Sequence, residues 1–332
     1  LVYVPYDFSA TFQEQKVSLK EDGYYRDTSY GVLDYVDYNN NTQTITSFKD
    51  VYSSSNVAQT FRNADSIGEI NVLVIPVNFT DSDKSDNEHK KQYIEAAFFG
   101  DESCNYYESL ASYYHKSSYG QLEIKGFVTD FYDFNMSSQE LVGQYSSAVG
   151  VSRRVSISAL AWFYSQYPDY DYDGLDKDND GYIDALYIVY NFPYDDGSSS
   201  DYRPFWAYVD HSYRGEKATQ ELINDYEKSI SSYAWISYDF LGSGVNPDAR
   251  TIVHESGHIF GLDDYYNTSA TGRYQPTGFA DMMDANLGDH TAFSKMLLNW
   301  VTPIVVEDEC TITLNSFGES GDLILIPTSN GW

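Results

Sequence analysis

The sequence predicts an α+β domain built on a mixed, twisted sheet, and three observations carry that expectation. Residues 69–79, EINVLVIPVNF, form a nearly continuous, β-branched apolar run that suits a strand buried on both faces. Residues 185–190 repeat the pattern. Segments with helical spacing at 87–99, 103–117, 152–167, 248–260 and 291–300 interrupt the strands in irregular order, and no internal repeat organises the chain.

Taken in order, residues 1–64 are rich in Tyr, Ser, Asn and Asp, with short alternating pieces at 33–38 and 42–48. They read as hairpins and loops, a pro-like leader to the main domain. After the 69–79 strand and two helices, residues 121–131 alternate as a strand, and 204–210 and 232–240 are shorter strand candidates. Pro303 stops the 291–300 helix, and residues 310–314 and 323–326 read as strands opening a β-rich domain. The expected organisation is a leader over 1–64, a catalytic domain over 65–302 and the start of a C-terminal β-rich domain over 303–332.

Composition narrows the function. Fifty acidic against 20 basic residues give a net charge of −30, which repels phosphate backbones and anionic lipid. Nucleic-acid binding is therefore not expected. No apolar run approaches the roughly 18 residues that span a bilayer. Aromatic residues make up 17% of the chain, ample for a core despite the charge. Cys104 and Cys310 lie far apart and read as two unrelated thiols; so little cysteine leans toward an extracellular protein. The chain opens at Leu1 without an initiator methionine, which reads as processing or trimming. A monomer is expected.

The chemistry concentrates in residues 254–264, HESGHIFGLDD. On a helix, His254 and His258 stand at i and i+4, one turn apart on one face, a spacing that suits two ligands of one tetrahedral zinc. Glu255 lies beside them and can take a proton from a metal-activated water. Gly261 permits the positive φ that ends the helix sharply, and the returning chain offers Asp264 as third ligand. Asp263, Asp281, Asp284, His211 and His290 compete for that role, and the spacing favours Asp264. No Glu occurs between Glu255 and Glu307, which disfavours a zinc site completed by a downstream glutamate. Downstream, ADMMDA at 280–285 offers a methionine in a tight turn beneath the metal, read as Met283; with the extended motif, that is the metzincin arrangement.

A second metal site is written in residues 176–184, DKDNDGYID. Asp176, Asp178 and Asp180 occupy positions 1, 3 and 5 of an EF-hand-like loop, with Gly181 at 6, the Tyr182 carbonyl at 7 and Asp184 at 9. Position 12 is Tyr187 rather than Glu, and a strand follows, so the loop reads as a structural calcium site, not a sensor. Seven aspartates and one lysine fall within 169–184, a cluster that repels itself unless a cation is bound.

These motifs resemble the immune inhibitor A family of secreted metallopeptidases. The resemblance runs over about 70–300 and rests on VNFTD, YYHKSSYGQLEIKG, DNDGYIDALYIVY, HESGHIFGLDDYY, DMMD and AFSKMLLNW. It implies a metzincin-like fold, His254, His258 and Asp264 as zinc ligands, Glu255 as general base, Met283 in the Met-turn, a calcium-binding DNDGYID stretch, a leader and a following β-rich domain. The chain departs from the family at Asp263, where proline is common, at Asn299, where glycine precedes the tryptophan, and at Tyr208, where a histidine is expected.

The expectation is thus a secreted zinc endopeptidase that takes protein or peptide substrates, with Zn²⁺ and Ca²⁺ as its metals. Tyr266, Tyr265 and His290 are candidates to stabilise the transition state. Two other functions compete: a catalytically silent, calcium-stabilised surface-binding module, and a zinc hydrolase of a non-peptide bond.

Overall fold

A computed structural model describes residues 63–101, 105–145, 147–194, 204–211, 228–266, 277–306 and 309–326. It also gives the backbone of three earlier strands, β1 (Ser9–Thr11), β2 (Leu33–Val36) and β3 (Thr42–Ile45), which form an antiparallel sheet in the order β1-β2-β3. The chain divides into two units. One holds Phe61–Lys116 and Leu122–Gly288; the other holds Leu1–Thr60, Ser117–Gln121 and Asp289–Trp332.

The larger unit is mixed α/β around a mixed sheet, compatible with the α+β expectation. Its strands are β4 (Gly68–Asn78), β5 (Leu122–Val128), β6 (Tyr132–Asp133), β7 (Leu186–Tyr190), β8 (Tyr208–Asp210) and β9 (Tyr233–Ser237). The order is β5-β4-β7-β9-β8, with β6 also pairing β4; every pairing is parallel except β8 with β9. The continuous apolar runs at β4 and β7 reflect burial on both faces, since β4 and β7 lie inside the sheet.

Alternation along these strands sorts the two faces. Leu73, Ile75 and Val77 of β4, Leu186, Ile188 and Tyr190 of β7, and Tyr233 and Trp235 of β9 form one core with Val151, Val155, Ala159, Leu160 and Phe163. The last five belong to α4 (Ala148–Gln166), which follows α1 (Asn87–Phe99), α2 (Leu110–Ser117) and α3 (Ser138–Gln144). Tyr187, one residue out of phase, points to the opposite face and meets Phe98 of α1 edge-on at 5.0 Å. That opposite face also carries α5 (Arg250–Ile259), packed on β8, β9 and α6 (Met282–Ala285). The sheet is therefore a floor on which the His254–His258 helix rests.

Several expected elements are shorter or absent: the 204–210 strand is confined to Tyr208–Asp210 and the 291–300 helix to Ala292–Leu297. The 103–117 helix begins at Leu110, because the Ser109 hydroxyl accepts the Ser112 amide at 3.1 Å and caps the helix there. The 232–240 strand stops at Ser237, whose hydroxyl accepts the Asp239 amide and starts a short 3-10 turn. Residues 310–314 are not a strand; mostly exposed, they have no face to bury, and the local pair is instead β10 (Ile304–Val305) with β11 (Ile324–Leu325).

Residues 289–302, expected in the catalytic domain, belong to the smaller unit. There Met296 of α7 (Ala292–Leu297) packs with Val301 and Leu323. Lys295, fully buried, pairs with Asp289 at 2.6 Å and sits over the Tyr119 ring. Cys310 is an exposed thiol, and Cys104 lies outside the described residues. Among the described residues, no helix is long and apolar enough to cross a membrane.

Candidate metal centre

Helix α5 ends as its glycine predicts. Gly261 has φ +88°, its amide reaches the His258 carbonyl at 2.9 Å, and the Leu262 amide reaches back to the Gly257 carbonyl at 2.8 Å. The chain then reverses and brings Asp264 to the two histidines. One Asp264 oxygen lies 3.0 Å from His254 Nε2 and 3.4 Å from His258 Nε2. Ligand atoms of the three residues all fall within 4.8 Å of one another.

The histidine rings are oriented from behind. His254 Nδ1 lies 2.9 Å from the Met282 carbonyl oxygen, and His258 Nδ1 lies 2.8 Å from that of Leu262. A carbonyl only accepts, so each Nδ1 carries its proton and donates, and each neutral ring turns its Nε2 lone pair toward Asp264. Two lone pairs and a carboxylate oxygen then converge on one point, an arrangement that needs a cation between them. Without a metal, a proton fills that need. Burial acts to lower the His258 pKa, but Asp264 and Glu255 outweigh it and hold the ring at about 9. The same pairing overcomes the burial of Asp264 and keeps its carboxyl well below the usual range. The donor set fits zinc: two imidazole nitrogens and a carboxylate oxygen, each imidazole held by a hydrogen bond to its far side.

Around this point the neighbours divide the work. Glu255 is buried, and no donor reaches its Oε2 among the described residues. Burial pushes its carboxyl pKa up against the opposing pull of His258 and His254. Ser256, between the histidines in sequence, donates to the Ile252 carbonyl at 2.7 Å, so the Tyr187 hydroxyl 2.7 Å away must be the donor to Ser256 Oγ. This ties the helix to the central strand. Met283 lies beneath the helix: a Cβ added at Gly257 would stand 2.3 Å from the Met283 sulfur. The Met283 carbonyl also accepts the Tyr265 amide at 2.9 Å, linking the turn to the Asp264 segment. Tyr266 stacks on His254 at 24° and 6.5 Å, and burial and Asp264 push its phenol pKa upward.

The other sequence candidates fall elsewhere. Asp281 accepts the Met283 amide, and Asp284 accepts the Phe279 amide and the Thr277 hydroxyl, so both stiffen the Met-bearing turn. His211 follows β8 and is kept neutral by burial and by the charge of His258, its pKa lowered to about 4. His290 belongs to the smaller unit, buried with its ring centroid 5.8 Å from that of Trp300.

In the acidic loop, Asp176, Asp178 and Asp184 bring ligand oxygens within 4.8 Å of one another. Asp176 accepts the amides of Asp180 and Gly181, both at 3.0 Å, and Gly181 has φ +89°, the turn for which glycine was expected. Asp180 is not in that group; its carboxylate accepts the Tyr182 amide at 2.9 Å. Tyr182 forms a parallel bridge with Ser229. Burial, reinforced by Asp178, Asp176 and Asp180, raises the Asp184 pKa to about 6 although the Lys177 amide lowers it. Lys228, 52 residues from Asp176, places its ammonium 2.9 Å from that carboxylate and 3.0 Å from Asp173. Neither Lys228 nor Tyr187 carried a local signal; each reaches its partner only through the fold.

No protein-family model matches the chain, and no curated protein matches it.

Proposed function

We propose that the chain is a secreted, monomeric zinc endopeptidase of metzincin type that hydrolyses peptide bonds in proteins. The observation that carries the reading is the convergence of His254 Nε2, His258 Nε2 and Asp264 Oδ1 beside the buried, unpartnered oxygen of Glu255. His254, His258 and Asp264 would hold the zinc, which when bound supplies Lewis acidity toward water and the scissile carbonyl. Glu255 takes a proton from the attacking water as the carbon–oxygen bond forms. It passes the proton to the amide nitrogen as the carbon–nitrogen bond breaks, leaving a carboxylate and an amine. Its raised pKa suits both halves of that transfer. Met283 supports the helix, Tyr266, stacked on the His254 ring, is the proposed stabiliser of the transition state, and the 176–184 loop holds a structural calcium ion. Placement outside the cell rests on the charge of −30 and two cysteines in 332 residues.

The test is casein digestion by Glu255→Gln and Glu255→Ala. Activity should fall by roughly 10²–10⁴-fold while zinc content stays at the unsubstituted level. Chelation should silence the unsubstituted chain, and zinc should restore it. Undiminished proteolysis in both variants would refute the assignment.

A further inference from the structure

The acidic loop meets a cation that the chain itself supplies. Its own lysine, Lys177, turns away, and its ammonium donates to the Glu69 carbonyl. Lys228 comes in from outside the loop instead, with its ammonium 2.9 Å from Asp176 Oδ2 and 3.0 Å from Asp173 Oδ1. The Asp176 side chain is 0% exposed and that of Asp173 is 78% exposed. Lys228 is itself buried, so its pairing with Asp176 is shielded from water and the pairing with Asp173 is not. Hydrogen bonds to Asp176 and Asp173 raise the Lys228 pKa against the effect of burial, so the ammonium stays charged.

The backbone fixes Lys228 beside the loop. The Ser229 amide donates to the Gly181 carbonyl at 2.9 Å, and the Ile183 amide donates to the Ser229 carbonyl at 2.8 Å. The Tyr164 hydroxyl donates to the Lys228 carbonyl at 2.6 Å. The Asn63 side-chain amide donates to the Ile183 carbonyl at 3.0 Å and pins the same loop exit. What can move is the four-carbon stem of the lysine.

The two carboxylates it touches differ in kind. Asp176 belongs with Asp178 and Asp184 to the group whose oxygens converge, and Asp173 does not. Two cations on one buried carboxylate repel each other with little screening. Calcium and the ammonium therefore compete for Asp176, and Asp173 gives the displaced ammonium a partner outside the ligand group.

We propose that Lys228 is a tethered counter-ion of the 176–184 loop: it holds Asp176 in the calcium-free chain and yields that carboxylate when calcium binds. This rests on the proposed reading of the loop as a calcium site. The lysine keeps the loop folded before the metal arrives and, by the same contact, lowers the affinity for it.

Calcium titration of the full chain by calorimetry tests the proposal with Lys228→Gln, which keeps a donor and removes the charge, and with Asp176→Asn. Lys228→Gln should bind calcium about tenfold more tightly or better, and Asp176→Asn more weakly than the unsubstituted chain. Thermal unfolding supplies the second measurement: Lys228→Gln should lower the midpoint in calcium-free buffer, and saturating calcium should close most of that gap. A lysine with a merely structural role would give weaker binding on substitution. Unchanged or weakened calcium binding in Lys228→Gln, beside weakened binding in Asp176→Asn, would overturn the proposal and leave the loop reading standing. Failure of both the unsubstituted chain and Lys228→Gln to bind calcium would overturn both.

Discussion

Gly257 lies between the two histidines, and replacing it by alanine sets two effects of opposite sign against each other. In a helix interior, glycine is less favourable than alanine by about 1 kcal/mol, so propensity alone predicts stabilisation. Packing predicts the reverse. The new methyl would stand 2.3 Å from the Met283 sulfur and 3.0 Å from its terminal carbon, against an ordinary contact of about 3.5–4.0 Å. The sulfur is not the free end of the side chain, and Met283 is 0% exposed, so it has nowhere to swing. Its backbone is tied too, by the Asp281 carboxylate at the amide and the Tyr265 amide at the carbonyl. Relief therefore requires moving the turn whose Met282 carbonyl orients His254. Overpacking of this kind costs about 1–3 kcal/mol, so Gly257→Ala should be destabilising by up to about 2 kcal/mol net. In a Met283→Ala background the obstacle is gone, and the same substitution should stabilise by about 1 kcal/mol. Thermal unfolding of the four proteins of this cycle in chelator would read the difference, at roughly 2–4 °C per kcal/mol for a unit of this size. Stabilisation by Gly257→Ala in both backgrounds would refute the packing of Met283 against the helix.

Two other outcomes follow from groups outside that contact. Asp184 binds its proton more tightly folded than unfolded, its pKa raised from near 3.8 to about 6. Without calcium, the Asp184 contribution to stability should fall by roughly 3 kcal/mol as pH rises from about 4 to about 6, read as the difference between the unsubstituted chain and Asp184→Asn because His211 titrates in the opposite sense over the same range. Saturating calcium should remove this slope; denaturant titrations at pH 4, 5, 6 and 7 would show it, and equal slopes with and without calcium would count against the site. Tyr187→Phe removes the donor to Ser256 without changing shape, and should cost about 1 kcal/mol in the unfolding midpoint and weaken zinc retention against a competing chelator. Unchanged values for both would show that this bond does not hold the helix.

What was legible in the sequence was what a few consecutive residues decide. The i, i+4 histidines, the glycine three residues on and the 1-3-5 aspartate spacing with glycine at 6 are local, and the helix end and loop turn take the form their residues require. Long apolar runs likewise marked β4 and β7, because burial on both faces leaves no polar alternation to misread. Capping decided the boundaries that were misplaced. Serines 109 and 237 each spend a hydroxyl on a backbone amide two or three residues ahead, and a single serine does not announce that choice.

The remaining parts of the site depend on residues brought together across the fold. Tyr187 and Ser256 are 69 positions apart, and Asn63 and Ile183 are 120 apart. In sequence, Tyr187 is one more apolar residue of a buried strand, and Asn63 one more polar residue of a loop. The turn at 280–285 shows the difference within a single motif. Two methionines stood side by side, and each has a separate use. Met283 places its sulfur against the helix at Gly257, a role in which side-chain size and shape matter. Met282 holds His254 through its carbonyl oxygen, a group that every residue carries. Substitution at 282 by another apolar residue should therefore leave the ring of His254 in place, whereas substitution at 283 should not leave the helix unchanged. A backbone contact of that kind writes nothing into the residue type, so only the folded chain can disclose it.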